Sequence, residues 1–394
     1  MNRRSWVCFL LTLFCCWNGF AQDVNLSLWH PLDTQRSDST RYSWLNVGLY
    51  SGMHSLQGLG VNVLASSVKR DAKGLQVSGF SNVVGRKMLG MQLSGICNVN
   101  RLYMAGVSAS GLVTINSNFT DGVLLSGAIN VSGGRMRGMA CAGLMNMAGR
   151  SSAGMFVSGM SNILMGNTKG LSIGGLANVA GYSMRGVSLA GLATIVGEMQ
   201  RGLAVSGLMN VCGKEVHGMQ MALFNYADSL KGLQLGLVNY KKKPGGFQLG
   251  LVNLRPDTEF QCLIFGGNTA KANVGVRIKN GMWYTMLGIG SNYLDVHKKY
   301  SASVFYRAGV WTNLYKGLSA SGDLGFQHIE TFKNRLEGEI PARMYGLQAR
   351  VNLEYQIVRH FGVFASCGYG WDRYYTRNRT FHQGVIGEFG IVLQ

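Results

Sequence analysis

The run GLSIG at residues 170–174 matches G-x-S-x-G, the sharp turn that presents a serine nucleophile in α/β-hydrolases. A nucleophile at Ser172 would need a histidine base nearby. The seven histidines, His30, His54, His217, His297, His328, His360 and His382, are widely scattered. None forms the H-x-x-x-H or H-E-x-x-H pair that would put two metal ligands on one helix face. Glu337 and Glu339 share a loop beside Pro341, where both would be solvated instead of taking split acid and base roles. No phosphate-binding glycine loop follows a strand. The residues predict no enzyme, no metal and no cofactor.

Cysteine chemistry is equally sparse. The opening segment MNRRSWVCFLLTLFCCWNGFAQ has two arginines, a short apolar run and small residues at Gly19 and Ala21, the order of a secretory signal ending near residue 21. Cys8, Cys15 and Cys16 fall within it. Cys97, Cys141, Cys212, Cys262 and Cys367 remain, an odd number with no C-x-x-C pair, and read as small buried hydrophobes. Without Arg3 and Arg4 the chain holds 35 basic against 18 acidic residues. That excess favours an anionic neighbour, a membrane or an acidic polysaccharide, and export argues against nucleic acid.

Ser172 loses its special status once the chain is searched for repeats. Glycines recur every sixteen residues at Gly58, Gly74, Gly90, Gly106, Gly122, Gly138, Gly154, Gly170, Gly186, Gly202 and Gly218. With each taken as position 0, positions 1 and 3 are apolar, position 9 is apolar from Val83 onward, and position 5 is Gly in nine consecutive units from Gly79 to Gly207. Position 8 is Asn at Asn82, Asn98, Asn130, Asn146, Asn162, Asn178 and Asn210, with Thr114 and Thr194 as exceptions. Asn225, Asn239 and Asn253 continue the series in shorter units. Ser172 is merely position 2, where other units carry Gln76, Gln92 or Ser108.

Apolar residues at period two, bounded by glycine and polar turns, mean strand. Two all-β architectures fit. In a β-solenoid each unit is one coil, like residues stack coil on coil, and the asparagines form a ladder. In one large outer-membrane barrel each unit is a spanning strand, with odd positions toward lipid and even positions toward a polar lumen. The repeated LQLGLVN and FQLGLVN, at residues 233–239 and 247–253, discriminate. There the step falls to fourteen and Gly-to-Asn shrinks from eight residues to seven, yet G-x-x-N is kept. A continuous strand would turn the Asn to its other face. A coil that bends at its glycine would not, and a glycine at the corner permits positive φ and close approach. The expected fold is thus an all-β chain: a β-solenoid-like array of sixteen- then fourteen-residue repeats, followed by an antiparallel β-barrel-like domain.

Lys73, Arg137, Lys169, Arg185, Arg201 and His217 each precede a position-0 glycine, and Lys231 holds the same place in a shorter unit. Stacking would line them along one edge, a candidate binding row for acidic polysaccharide or for the phosphates of lipopolysaccharide.

Past Pro256 the composition changes. Residues 260–394 hold 22 aromatic side chains against 9 in residues 58–257. About eight alternating segments joined by turns such as KNG, YKG and RHFG predict hairpin-linked strands, several long enough to cross an outer membrane. Trp283, Tyr284, Trp311, Tyr315, Trp371, Tyr374 and Tyr375 stand near predicted strand ends, as interfacial girdles do. The chain reads as a signal at 1–21, a β segment at 22–57, the array at 58–256 and the barrel-like domain at 257–394.

These residues, from NLSLWHPLDTQ at 25–35 through GFQLGLVN to GYGWDRYY, resemble the surface repeat-containing family of secreted Gram-negative proteins with tandem G-x-Q-x-G-x-x-N units. The resemblance implies export to the outer membrane or cell surface and no catalytic residue. Thr114 departs from its pattern.

Overall fold

The computed structural model describes residues 24–29, 42–295, 299–334, 342–375 and 380–394. The signal segment, His30, His297, Glu337 and Glu339 lie outside them. The chain divides into two compact units, Met1–Gly232 and Leu233–Gln394.

The first unit is a β-solenoid, in which the strands of one coil pair in parallel with those of the next. Each sixteen-residue unit supplies a longer strand and a four-residue one, such as Ala72–Ser78 and Ser81–Val84, with two-residue turns at 79–80 and 85–86. Every residue then meets its equivalent one coil away, Gly138 opposite Gly154 and Asn146 opposite Asn162. Successive strands of one large barrel would pair antiparallel, so that alternative falls.

The glycines make this stacking sterically feasible, though in two ways. Those at position 0 have φ between 110° and 147° but lie inside the longer strand, not at its end, so the bend expected at a corner occurs mid-strand. Those at position 5 occupy the turn. A Cβ on Gly95 would stand 2.1 Å from the Gly79 carbonyl oxygen, so here glycine is demanded by close approach.

Within the strands, positions 1, 3, 7 and 9 face outward and positions 2, 4, 8 and 10 inward, the division expected of a barrel strand but realised in a coil. Inside, position 8 forms a polar column, joined in many coils by polar residues at positions 2 and 4, as in Gln76, Ser78 and Asn82. The apolar core is built from the residue two before each glycine and from position 10, for example Met88, Met104, Met136, Val84 and Leu164, and position 2 joins it in the middle coils through Leu124, Ala140 and Phe156.

The second unit begins with parallel coils at the fourteen-residue step, Leu233 opposite Phe247 and Asn239 opposite Asn253. Eight antiparallel strands follow: Glu259–Gly267, Ala272–Asn280, Trp283–Ser291, Lys299–Tyr315, Leu318–Asn334, Arg343–Val358, Phe361–Tyr374 and Thr380–Leu393. Each pairs with the next, and the first pairs with the last from Cys262–Leu393 to Gly267–Glu388, closing a barrel. One end turns in two residues, at 281–282, 316–317 and 359–360, with Gly281 and Gly317 at positive φ. The other end carries longer connections.

Candidate functional site

The asparagine ladder is real and doubly bonded. Asn130, Asn146 and Asn162 each donate to the next coil's Asn Oδ1 at 2.9 Å. Each also donates to a carbonyl of the next coil, Asn146 to Val157 at 2.7 Å and Asn162 to Ile173 at 2.8 Å. Asn82 joins Asn98, Asn210 joins Asn225 and Asn239 joins Asn253 in the same way. The series breaks at Thr114 and Thr194, whose hydroxyls bond Ser110 and Ser206 instead. Asn178 donates to the Leu189 carbonyl at 2.8 Å and to the Ser188 hydroxyl at 2.9 Å. Ser172 lies within this interior, its hydroxyl donating to Asn178 Oδ1 at 2.9 Å, so it is part of the coil's lining.

The register resolves the cationic edge into one run and two isolated charges. Lys169, Arg185, Arg201 and His217 are successive neighbours. Arg137 instead sits between Asp121 and Ala153, and Lys73 between Gln57 and Leu89. His217 meets Glu215 at 2.9 Å and Lys231 lies 4.0 Å from the same carboxylate, so the far end of the run is partly neutralised. The continuous exposed run is Lys169, Arg185 and Arg201, at about 4.8 Å per coil.

In the barrel the polarity is inverted. Outward residues include Ile289, Val304, Leu324, Val351, Val385 and Phe389, the last 65% exposed. The interior holds charge. Arg307 lays two nitrogens on Glu388 at 2.8 and 2.9 Å, Arg350 reaches Glu388 at 3.3 Å and Asp323 at 3.6 Å, and Arg277 pairs with Glu354. Phe265 and Phe305 stack against the Arg307 guanidinium at 4.7 and 4.9 Å. An eight-stranded barrel has room for little more than its own side chains. Sequence reading passed over this network. Its signal was a lone charge inside an alternating apolar strand, as in ANVGVRI and SASVFYRAGV, which has only the interior to face.

The aromatic residues divide between the barrel's ends. Trp283 and Tyr315 lie exposed near the short turns, and Trp371, Tyr374 and Tyr375 near the opposite end, where Tyr375 contacts Tyr345 and His328. Tyr284 does not belong with them. Neighbours in a strand face opposite sides, so with Trp283 outside, Tyr284 is 4% exposed and its hydroxyl donates to Asp323 at 2.7 Å inside. Trp311 is half-buried, its indole nitrogen bonded to the Gly281 carbonyl at 2.6 Å and its ring 4.1 Å from the Lys279 ammonium.

The five cysteines are free thiols, and only Cys212 is fully buried; burial pushes its thiol pKa up. Cys97, Cys141 and Cys262 are half-buried and Cys367 is exposed, since an outward position on a coil or barrel does not hide a small side chain. Among the described residues no group of three His, Cys, Asp or Glu side chains is placed to hold a metal ion. No described helix is long and apolar enough to cross a membrane, which leaves spanning strands untouched.

No protein-family model and no curated protein matches the chain. Among solved structures, the N-terminal β-barrel domain of Pseudomonas aeruginosa OprF is similar at 13% identity, over 34% of this chain and 95% of that one, with a TM-score of 0.27.

Proposed function

We propose that this chain is a non-enzymatic outer-membrane repeat protein, whose C-terminal barrel spans the bilayer and whose coils serve as a structural scaffold. The observation that carries the reading is the barrel's inverted polarity: an apolar outer wall around a paired, buried charge network. In water such a wall exposes what folding normally hides, whereas in lipid it is the stable arrangement. The continuous run Lys169, Arg185 and Arg201 favours a second reading, in which the scaffold's edge binds an acidic surface polysaccharide or lipopolysaccharide.

Reconstitution of the full chain into vesicles tests the first reading. The strands Leu318–Asn334 and Arg343–Val358 are expected to resist external protease, and planar bilayers to show no stable conductance through a filled barrel. Complete digestion of both strands in sealed vesicles overturns it.

A further inference from the structure

In ten consecutive units, beginning at Gly58 and ending with the unit of Gly202, the eleven residues that start at the glycine carry no charged side chain. Every Lys, Arg, Asp and Glu of these units falls in the five residues that remain. The fold places the two classes at opposite ends of each coil, because the turn at 79–80 and the turn at 85–86 lie at either end of the short strand. One end is apolar: Phe80, Ile96, Leu112, Leu144, Met160 and Leu176 are exposed, Leu112 by 52%. The other end carries the cations.

The apolar end also leaves no backbone amide unpaired from coil to coil. Ile96 N donates to the Phe80 carbonyl at 2.9 Å, Leu112 N to Ile96 at 3.0 Å, and Leu176 N to Met160 at 2.7 Å. A surface that is apolar in side chain and paired in backbone suits hydrocarbon. Beside this row an open apolar furrow, lined by Val77, Leu93, Leu125 and Val157 among others, crosses the coils with about 710 Å³ of space. Within the second unit the last coil shows where such a surface goes. The Gly250 carbonyl accepts from the Tyr306 hydroxyl at 3.0 Å and the Leu251 carbonyl from Thr285 at 3.1 Å. Tyr306 and Thr285 stand on outward positions of the barrel, Tyr306 midway along Lys299–Tyr315. That coil therefore lies against the wall that meets lipid in the reading above.

We propose that the coils are seated in a phospholipid surface, with the apolar turn row among acyl chains and the charged turns at headgroup level, where Lys and Arg meet anionic headgroups. The depth of the last coil rests on the barrel being membrane-spanning; the coils' own division of charge does not.

The test uses the unmodified full chain in phosphatidylethanolamine vesicles containing phosphatidylglycerol, with a phospholipid that bears a photoactivatable group at its acyl terminus. Mass spectrometry then maps the labelled residues. Label is expected on the row that includes Phe80, Leu112 and Leu144, and absent from Arg86, Arg150 and their turns. In the variant Leu112→Glu/Leu144→Glu/Leu176→Glu, changed only at exposed positions, label on the row is expected to fall roughly tenfold or more, while label on the barrel strands is unchanged. Label confined to the barrel overturns this inference and leaves the barrel reading standing; label on the coils alone does the reverse. Unlabelled coils that cross-link to a second copy, or that bind an acidic glycan instead, also overturn it.

Discussion

Arg307 and Glu388 face each other across the barrel interior, from strands 81 residues apart in sequence, with both carboxylate oxygens engaged at 2.8 and 2.9 Å. The carboxylate is shared, since Arg350 approaches it at 3.3 Å and the Ser366 hydroxyl donates to it at 3.3 Å. Glu388→Ala strands the buried Arg307 cation and leaves Arg350 with Asp323 alone, and is expected to cost about 3–5 kcal/mol. Arg307→Met leaves the carboxylate with Arg350 and Ser366, and should cost roughly half as much. Urea midpoints of the reconstituted protein measure both, and equal losses would mean that the two arginines do not depend on one acid.

Gly154 and Gly387 make a second pair of opposites. Gly154 has φ of 132°, and a Cβ there would stand 1.8 Å from the Gly138 carbonyl oxygen, whereas a Cβ on Gly387 meets nothing within 4 Å. Gly154→Ala is expected to cost about 2–4 kcal/mol, through strain and a forced separation of coils. Gly387→Ala should change stability by less than about 0.5 kcal/mol. Thermal unfolding of the two variants checks the contrast.

Lys241 gives the protein a pH dependence of defined sign. Its ammonium donates to the carbonyls of Gly245 and Gly246 at 2.6 and 3.1 Å. Burial, reinforced by the Arg255 charge and opposed by Asp257, lowers its pKa from 10.5 to about 8. The unfolded chain holds that proton more tightly, so unfolding takes up a proton between those two values. Stability should therefore rise with pH from about 8 toward 10.5 and sit on a lower plateau below 8. Urea midpoints across this window, compared with Lys241→Met, isolate the contribution; a variant with the wild-type slope would refute it.

The cationic run predicts an unequal response to charge removal. Lys169→Gln, Arg185→Gln and Arg201→Gln together should lower the salt needed to elute the protein from a heparin-like support, because three adjacent cations act as one site. Lys73→Gln with Arg137→Gln should change it little, since each of those stands alone among Gln57, Leu89, Asp121 and Ala153. Equal shifts would mean that only net charge matters.

How much of this was legible follows from where each residue finds its partner. The array was readable because a coil's partner lies one repeat away in sequence, so Gly138 and Gly154 announce their contact by spacing alone. The shortened step likewise pointed to a coil, as Asn239 paired with Asn253 bears out. The same spacing already contained the breaks in the cationic edge, since Leu89, Ala105, Asp121 and Ala153 hold the positions between Lys73, Arg137 and Lys169. The corner glycine was misplaced because positive φ bends a strand from within as readily as at its end. The barrel was harder. Arg307 and Glu388 meet only through closure of the sheet, and Tyr284 faces inward because hairpin register fixes its parity, which composition near a strand end does not reveal.

The constant register between coils makes length a separable property of the molecule. Excising residues 138–153 would bring Gly122 against Gly154 and Asn130 against Asn162, each meeting the type of neighbour it already has. Whole units can thus be lost or duplicated by recombination without inventing a new interface, while the closed barrel tolerates no such change. One half of the chain is free to vary in extent, and the other holds its size.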